Sequence, residues 1–115
     1  GTFMQMALGE ARALAERAAE LQVAEAHLVL ATLEEAAGEG GRALEALRRA
    51  LYLDPQLITA HVSQARLYTR VGRLRDAQRA RANALRYLEP LDPETPMRME
   101  PPTTAGALRA ALEAP

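Results

Sequence analysis

Apolar residues recur every three to four positions along most of this chain, and that spacing predicts helices rather than strands. Glycine clusters and single prolines interrupt the pattern and divide it into segments of helical length. Five helices are predicted before a proline-rich stretch, over residues 5–22, 24–37, 42–53, 57–71 and 74–88. Pro55 and Pro90 are expected to end the third and fifth helices, because proline has no N–H with which to continue the hydrogen-bond ladder.

The C-terminal part of the chain has a different pattern. Residues 91–102 contain four prolines, which predicts an extended strap rather than regular structure. A short helix is predicted over residues 103–113, with Thr103 or Thr104 as its N-cap. Its apolar face carries Ala107, Leu108, Ala111 and Leu112. A helix this short is marginal by itself in water, so we expect it to dock on the preceding helices.

The segments 24–57 and 58–90 resemble each other at a shift of 34 residues, with small residues at equivalent places. The equivalent pairs are Ala31 and Ala65, Ala43 and Ala77, Ala50 and Ala84, and Gly38 and Gly72. This period is typical of the tetratricopeptide (TPR) repeat, a pair of helices. The backbones of the two helices can approach closely where the side chains are small.

The sequence therefore predicts an all-α fold, a TPR-like helical repeat array of antiparallel helix pairs with an N-terminal capping helix and a short C-terminal helix. In this interpretation residues 1–23 are a capping helix or a degenerate first repeat, residues 24–57 are the first clear repeat, and residues 58–90 are the second. The strap over residues 91–102 and the helix over residues 103–115 complete the chain.

Composition narrows the function. The length of 115 residues suits one domain. Cysteine is absent, which excludes thiolate metal sites and thiol catalysis and fits a reducing compartment, so we expect the protein in the cytoplasm. No run of 18 apolar residues occurs, and we therefore expect no membrane insertion.

Charge is distributed unevenly. Residues 57–88 carry seven arginines against Asp76 alone, whereas residues 1–39 carry seven acidic residues and two arginines. The basic segment has two interpretations: it holds an acidic peptide, or it is a solvated outer face. Nucleic-acid binding is disfavoured, because only this segment is basic and aromatic residues make up 3% of the chain.

The resemblance to TPR arrays implies that the first helix of each pair contributes to a concave groove that binds an extended protein segment. The residues at the groove positions are Glu25, Leu28, Thr32, Glu35, Thr59, Val62, Arg66, Thr69 and Arg70. Arg66 and Arg70 stand four residues apart on one helix and would offer two planar donor groups to carboxylates.

A more specific resemblance rests on the run 46–55, which ends in Tyr52-Leu53-Asp54-Pro55, and on the later segment Thr104-Ala105-Gly106-Ala107-Leu108. Together they resemble the TPR region appended to some CheR-type chemotaxis receptor methyltransferases. In that family a separate N-terminal domain transfers a methyl group from S-adenosylmethionine to receptor glutamates. The resemblance implies that this chain is a regulatory or targeting region without catalytic activity or cofactor. The implied partner is an acidic chemoreceptor segment or a chemosensory signalling protein.

The competing interpretation is a generic TPR scaffold or adaptor in secretion, pilus assembly or motility, with no enzyme attached. Met97 and Met99 also have two interpretations: they plug the groove, or they pack the strap against the helices. No nucleophile–base set or metal-ligand cluster is visible that would favour catalysis by this chain.

Four ring-bearing residues lie at similar places in the two repeats. His27 and His61 are one period apart, and packing between helices is favoured over metal binding for both. Tyr52 and Tyr87 lie near the ends of the second helices and are expected to pack against the next helix or the C-terminal segment.

Overall fold

The computed structural model describes all 115 residues and contains five helices and two short strands. These elements are α1 (Thr2–Ala36), α2 (Gly40–Leu53), α3 (Ile58–Arg70), α4 (Leu74–Leu88), β1 (Pro96–Met97), β2 (Thr103–Thr104) and α5 (Ala105–Glu113). The all-α part of the predicted fold class is confirmed. None of the helices combines the length and the apolar character that a membrane span requires. The chain divides into two compact units, Gly1–Pro55 and Gln56–Pro115.

In the first unit, α1 is one continuous helix of 35 residues. The predicted break between residues 22 and 24 is wrong. The run from Glu20 to Ala24 contains neither glycine nor proline, so nothing local ends the helix there. The predicted count of about six helices falls to five for this reason.

The C-terminal half of α1 packs against α2, mainly through small side chains. The buried residues at this contact are Ala24 and Ala31 of α1 and Ala43, Ala46, Leu47 and Ala50 of α2. Arg17 marks the end of the contact, since one of its guanidinium nitrogens donates a hydrogen bond to the Leu53 carbonyl oxygen at 2.8 Å. Another lies 3.9 Å from an Asp54 carboxylate oxygen. The residues of α1 before Arg17 are all exposed.

The turn between α1 and α2 requires glycine. Gly38 has a φ of +79°, a conformation that side chains with a Cβ rarely adopt. The Gly38 N–H donates to the Glu35 carbonyl at 3.0 Å, and the Glu39 N–H donates to the Glu34 carbonyl at 2.8 Å. These two bonds form a Schellman motif, which satisfies the last carbonyl groups of α1.

The second unit builds the same kind of hairpin from α3 and α4. Gly72 has a φ of +81°, its N–H donates to the Thr69 carbonyl at 3.1 Å, and the Arg73 N–H donates to the Tyr68 carbonyl at 2.9 Å. The buried residues of this hairpin include Ala60, Ala65 and Leu67 of α3 and Ala77, Ala80 and Ala84 of α4.

The C-terminal segment folds back onto this second hairpin. Leu88, Ala105 and Leu108 form a buried apolar cluster, which confirms that α5 docks on the preceding helices. Arg109 strengthens the contact, because its guanidinium donates to the Leu88 carbonyl at 2.7 Å and to the Glu89 carbonyl at 3.3 Å, near the end of α4. The predicted α5 face is only partly correct: Leu108 is buried and Leu112 half-buried, but Ala107 and Ala111 are exposed.

The start of α5 is fixed by a capping bond and by the strap. Thr104 is the N-cap, and its hydroxyl accepts a hydrogen bond from the Ala107 N–H at 3.2 Å. The strap is mostly irregular, as predicted, but Met97 pairs with Thr103 in a two-residue antiparallel ladder. The N–H groups of Ala105 and Gly106 donate back to the Thr95 and Pro93 carbonyls at 2.8 and 2.9 Å, so these bonds tie α5 to the strap.

Candidate protein-binding site

The predicted groove residues of α1 lie on one side of that helix. Glu25, Leu28, Thr32 and Glu35 recur at three- to four-residue spacing, which places them within one face. Leu28 and Glu35 are half-buried, whereas Glu25 and Thr32 are exposed. The Thr32 hydroxyl donates to the Leu28 carbonyl at 3.2 Å, so its donor is used within the helix.

The predicted groove residues of α3 also share one face. Thr59, Val62, Arg66, Thr69 and Arg70 follow the same spacing within this helix. Arg66 and Arg70 are exposed, and an Arg66 guanidinium nitrogen lies 3.5 Å from the Ser63 hydroxyl. The Thr69 hydroxyl donates to the Ala65 carbonyl at 2.8 Å. The α3 face therefore carries two exposed guanidinium groups, a side-chain type that pairs with carboxylates.

Val62 differs from Arg66 and Arg70 on this face, because it is half-buried and packs against an apolar cluster. Together with Ile58 it packs against the cluster of Leu88, Ala105 and Leu108. Met97 and Met99 pack against the same cluster. Val62 and the two methionines therefore belong to one apolar cluster, whereas Arg66 and Arg70 stand one and two turns further along α3.

The first unit contains a surface cavity that sequence reasoning missed. It has a volume of about 350 Å³ and is lined by His27 of α1 and by Arg48, Arg49, Tyr52 and Leu53 of α2. Arg48 and Arg49 both pair with Glu45, at 3.1 and 3.6 Å. A mostly hydrophobic hollow with guanidinium groups beside it suits an apolar side chain next to a carboxylate.

The two tyrosines do not have equivalent surroundings. Tyr52 is 86% exposed, so the expectation that it packs against a neighbouring element is wrong. It lies on the far side of α2 from Ala43, Ala46 and Ala50, and this arrangement could have been found from the helical period alone. Tyr87 stacks on His61 with ring centroids 5.7 Å apart, a contact within its own hairpin.

The histidines differ in the same way. His61 is buried and stacked, which confirms the packing role predicted for it, whereas His27 is half-buried and lines the cavity. No group of three or more His, Cys, Asp or Glu side chains is arranged to hold a metal ion.

Comparison with known proteins gives no match for this chain among protein families, curated proteins or solved structures. The two candidate surfaces differ in chemistry: the α3 face is cationic, and the hollow of the first unit is apolar with neighbouring guanidinium groups.

Proposed function

We propose that this chain is a TPR-like protein-interaction module whose role is recognition rather than catalysis. The supporting observation is that the two hairpins have buried alanines and turn glycines at equivalent positions, 34 residues apart. Ala31 and Ala65 are both buried, and the turn glycines Gly38 and Gly72 both have positive φ within a Schellman motif. A shared period that fixes both the buried small residues and the turns is what a helical repeat requires.

The ligand chemistry follows from the charge of the second hairpin. Residues 57–88 carry seven arginines and one aspartate, and Arg66 and Arg70 are exposed on the α3 face. Guanidinium groups bind carboxylates through paired hydrogen bonds, so the module binds an acidic segment of another protein. The positive potential also raises the association rate of such a segment at low salt.

The parent protein in this proposal is a CheR-type chemoreceptor methyltransferase of a bacterial chemosensory pathway, acting in the cytoplasm. The support is the resemblance carried by Tyr52-Leu53-Asp54-Pro55 and by Thr104-Ala105-Gly106-Ala107-Leu108. The module holds an acidic receptor segment or signalling partner while an attached domain methylates the receptor. A short tether gives that domain an effective concentration of about millimolar near its substrate. A reading frame upstream that lacks a methyltransferase domain would contradict this assignment and leave only the scaffold role.

Titration with acidic peptides tests the binding face. The protein and its Arg66→Ala/Arg70→Ala variant are titrated with fluorescent Glu/Asp-rich peptides, and affinity is measured by anisotropy at two salt concentrations. We expect the variant to bind about tenfold more weakly, because two charge-assisted contacts are lost. The affinity of the parent sequence falls as salt rises, since exposed charges are screened.

The matched control is Arg75→Ala/Arg79→Ala on α4, which removes the same charge at the same four-residue spacing from exposed positions. We expect this variant to keep most of the affinity. Equal losses in the two variants would show that net charge, rather than the α3 face, determines binding. Unchanged affinity in the Arg66/Arg70 variant would remove these residues from the site.

A further inference from the structure

One face of α1 is apolar and exposed at both ends of the helix. Met4 and Leu8 lie on it near the N-terminus, and Val29 and Leu33 lie on it near the C-terminus. Each of these four side chains is more than half exposed. At the helical period this face lies on the opposite side of α1 from Ala24, which is buried against α2.

The middle of the same face is built from small residues. Ala11, Ala15, Ala18 and Ala26 are exposed there, and Gln22 is the only polar residue between them on this face. The helix carries eight charged side chains, and all eight lie at other positions. The mean spacing along the face is about 3.6 residues, so the apolar stripe runs straight along the axis for about 44 Å.

The stripe has the same spacing when it is followed from either end. From Met4 the steps are four, three and four residues, which lead to Ala15, and from Leu33 the same steps lead back to Gln22. A second α1 placed antiparallel on this face therefore meets it in register. Met4 would face Leu33, and Leu8 would face Val29. Ala11 would face Ala26, Ala15 would face Gln22, and Ala18 of each copy would lie next to the two-fold axis, so the alanines would let the two backbones approach closely.

We propose that two copies of this chain form an antiparallel dimer through this face of α1. A two-fold axis requires a surface that is complementary to itself, and the palindromic spacing provides one. An uncharged stripe also avoids burying an unpaired charge. A contact of this length buries on the order of 1,000 Å², at the lower limit for a specific interface, so the dimer is reversible and depends on concentration. This inference is independent of the proposed function.

Sedimentation velocity on the 115-residue chain is the first test. The expected species at submillimolar concentration has twice the 12.5 kDa mass of one chain, and it dissociates on dilution into the micromolar range. A monomer throughout this range would overturn the proposal.

Paired charges test the register. Ala11→Glu/Ala26→Glu places like charges opposite each other in the dimer, so we expect it to weaken association by about tenfold or more. Ala11→Glu/Ala26→Arg places opposite charges there, and we expect it to retain association. The control Ala13→Glu adds a charge at an exposed position off the stripe and leaves the dimer intact. Equal weakening in the two double variants would overturn the antiparallel register.

Cysteine cross-linking tests the direction of pairing, since the chain contains no cysteine of its own. Position 18 lies next to the two-fold axis, so Ala18→Cys is expected to form an interchain disulfide under mild oxidation. Position 11 would lie about 22 Å from its copy along the axis, beyond the reach of a disulfide. Ala11→Cys should therefore remain uncross-linked, and efficient cross-linking at position 11 would indicate parallel pairing and contradict the proposal.

Discussion

Single residues determine how closely the paired helices approach. Alanine occupies most of the buried positions in both hairpins, and the large fully buried side chains are Leu47 and Leu88. In a core of this kind each side chain contributes little apolar contact. The stability of the core therefore depends on short distances between the helix backbones. Enlarging a buried alanine should therefore be more harmful than enlarging an exposed one on the same helix.

Ala84→Leu tests this dependence. Ala84 is fully buried in α4, so three added carbon atoms must displace the neighbouring helix, and we expect a loss of about 1–3 kcal/mol in the free energy of unfolding. Ala82→Leu is the control, because Ala82 is exposed on the same helix and the change there should stay within about 0.5 kcal/mol. Urea denaturation followed by circular dichroism measures both, and equal effects would show that helix separation is not limiting.

The turn glycines provide a second test with opposite signs. Gly38 has a φ of +79°, so Gly38→Ala forces a Cβ into the left-handed region and should lower the free energy of unfolding by about 1–2 kcal/mol. Gly41 lies in the first turn of α2 with open space around it, and Gly41→Ala should raise that free energy by up to about 0.5 kcal/mol, because alanine favours helix. Thermal and urea unfolding measure both changes. A loss of stability in both variants would contradict this explanation of the turn.

At the scale of elements, the helical period predicted most of the structure. The bounds of α4 agree with the prediction, and those of α2 and α3 differ from it by one or two residues, within the usual uncertainty of helix ends. The start of α1 lies at Thr2, three residues before the predicted start at residue 5. The break within α1 was predicted because residues 5–22 do not follow the 34-residue repeat. A change in the repeat pattern does not by itself end a helix, and α1 continues through this segment.

The α5 cap gives a prediction at this scale. Thr104→Ala removes the hydroxyl that accepts from the Ala107 N–H, and we expect a loss of about 1 kcal/mol in the stability of α5. Thr103→Ala is the matched control, because Thr103 is adjacent in the chain but does not serve as the N-cap. Hydrogen exchange at the α5 amides measures both. Faster exchange of equal size in the two variants would argue against a specific capping role.

At the scale of the whole molecule, the features that the sequence did not predict are contacts between residues distant along the chain. The cluster against which Val62 packs includes Ala105 and Leu108, more than 40 positions later in the chain, and no local pattern determines where such a distant segment docks. The His27 cavity likewise depends on how α1 crosses α2. The Arg66 and Arg70 placement was predictable, because both residues share one helix and the period alone places them on one face.

The unbroken course of α1 has a mechanical consequence. The fifteen helical residues before Arg17 extend for about 22 Å along the axis, and the helix continues without a break into the half that is packed against α2. Any molecule that binds this projecting half therefore also determines how the first hairpin is oriented relative to that molecule. Because α1 is continuous, a force applied near Met4 is transmitted along the helix to its contact with α2.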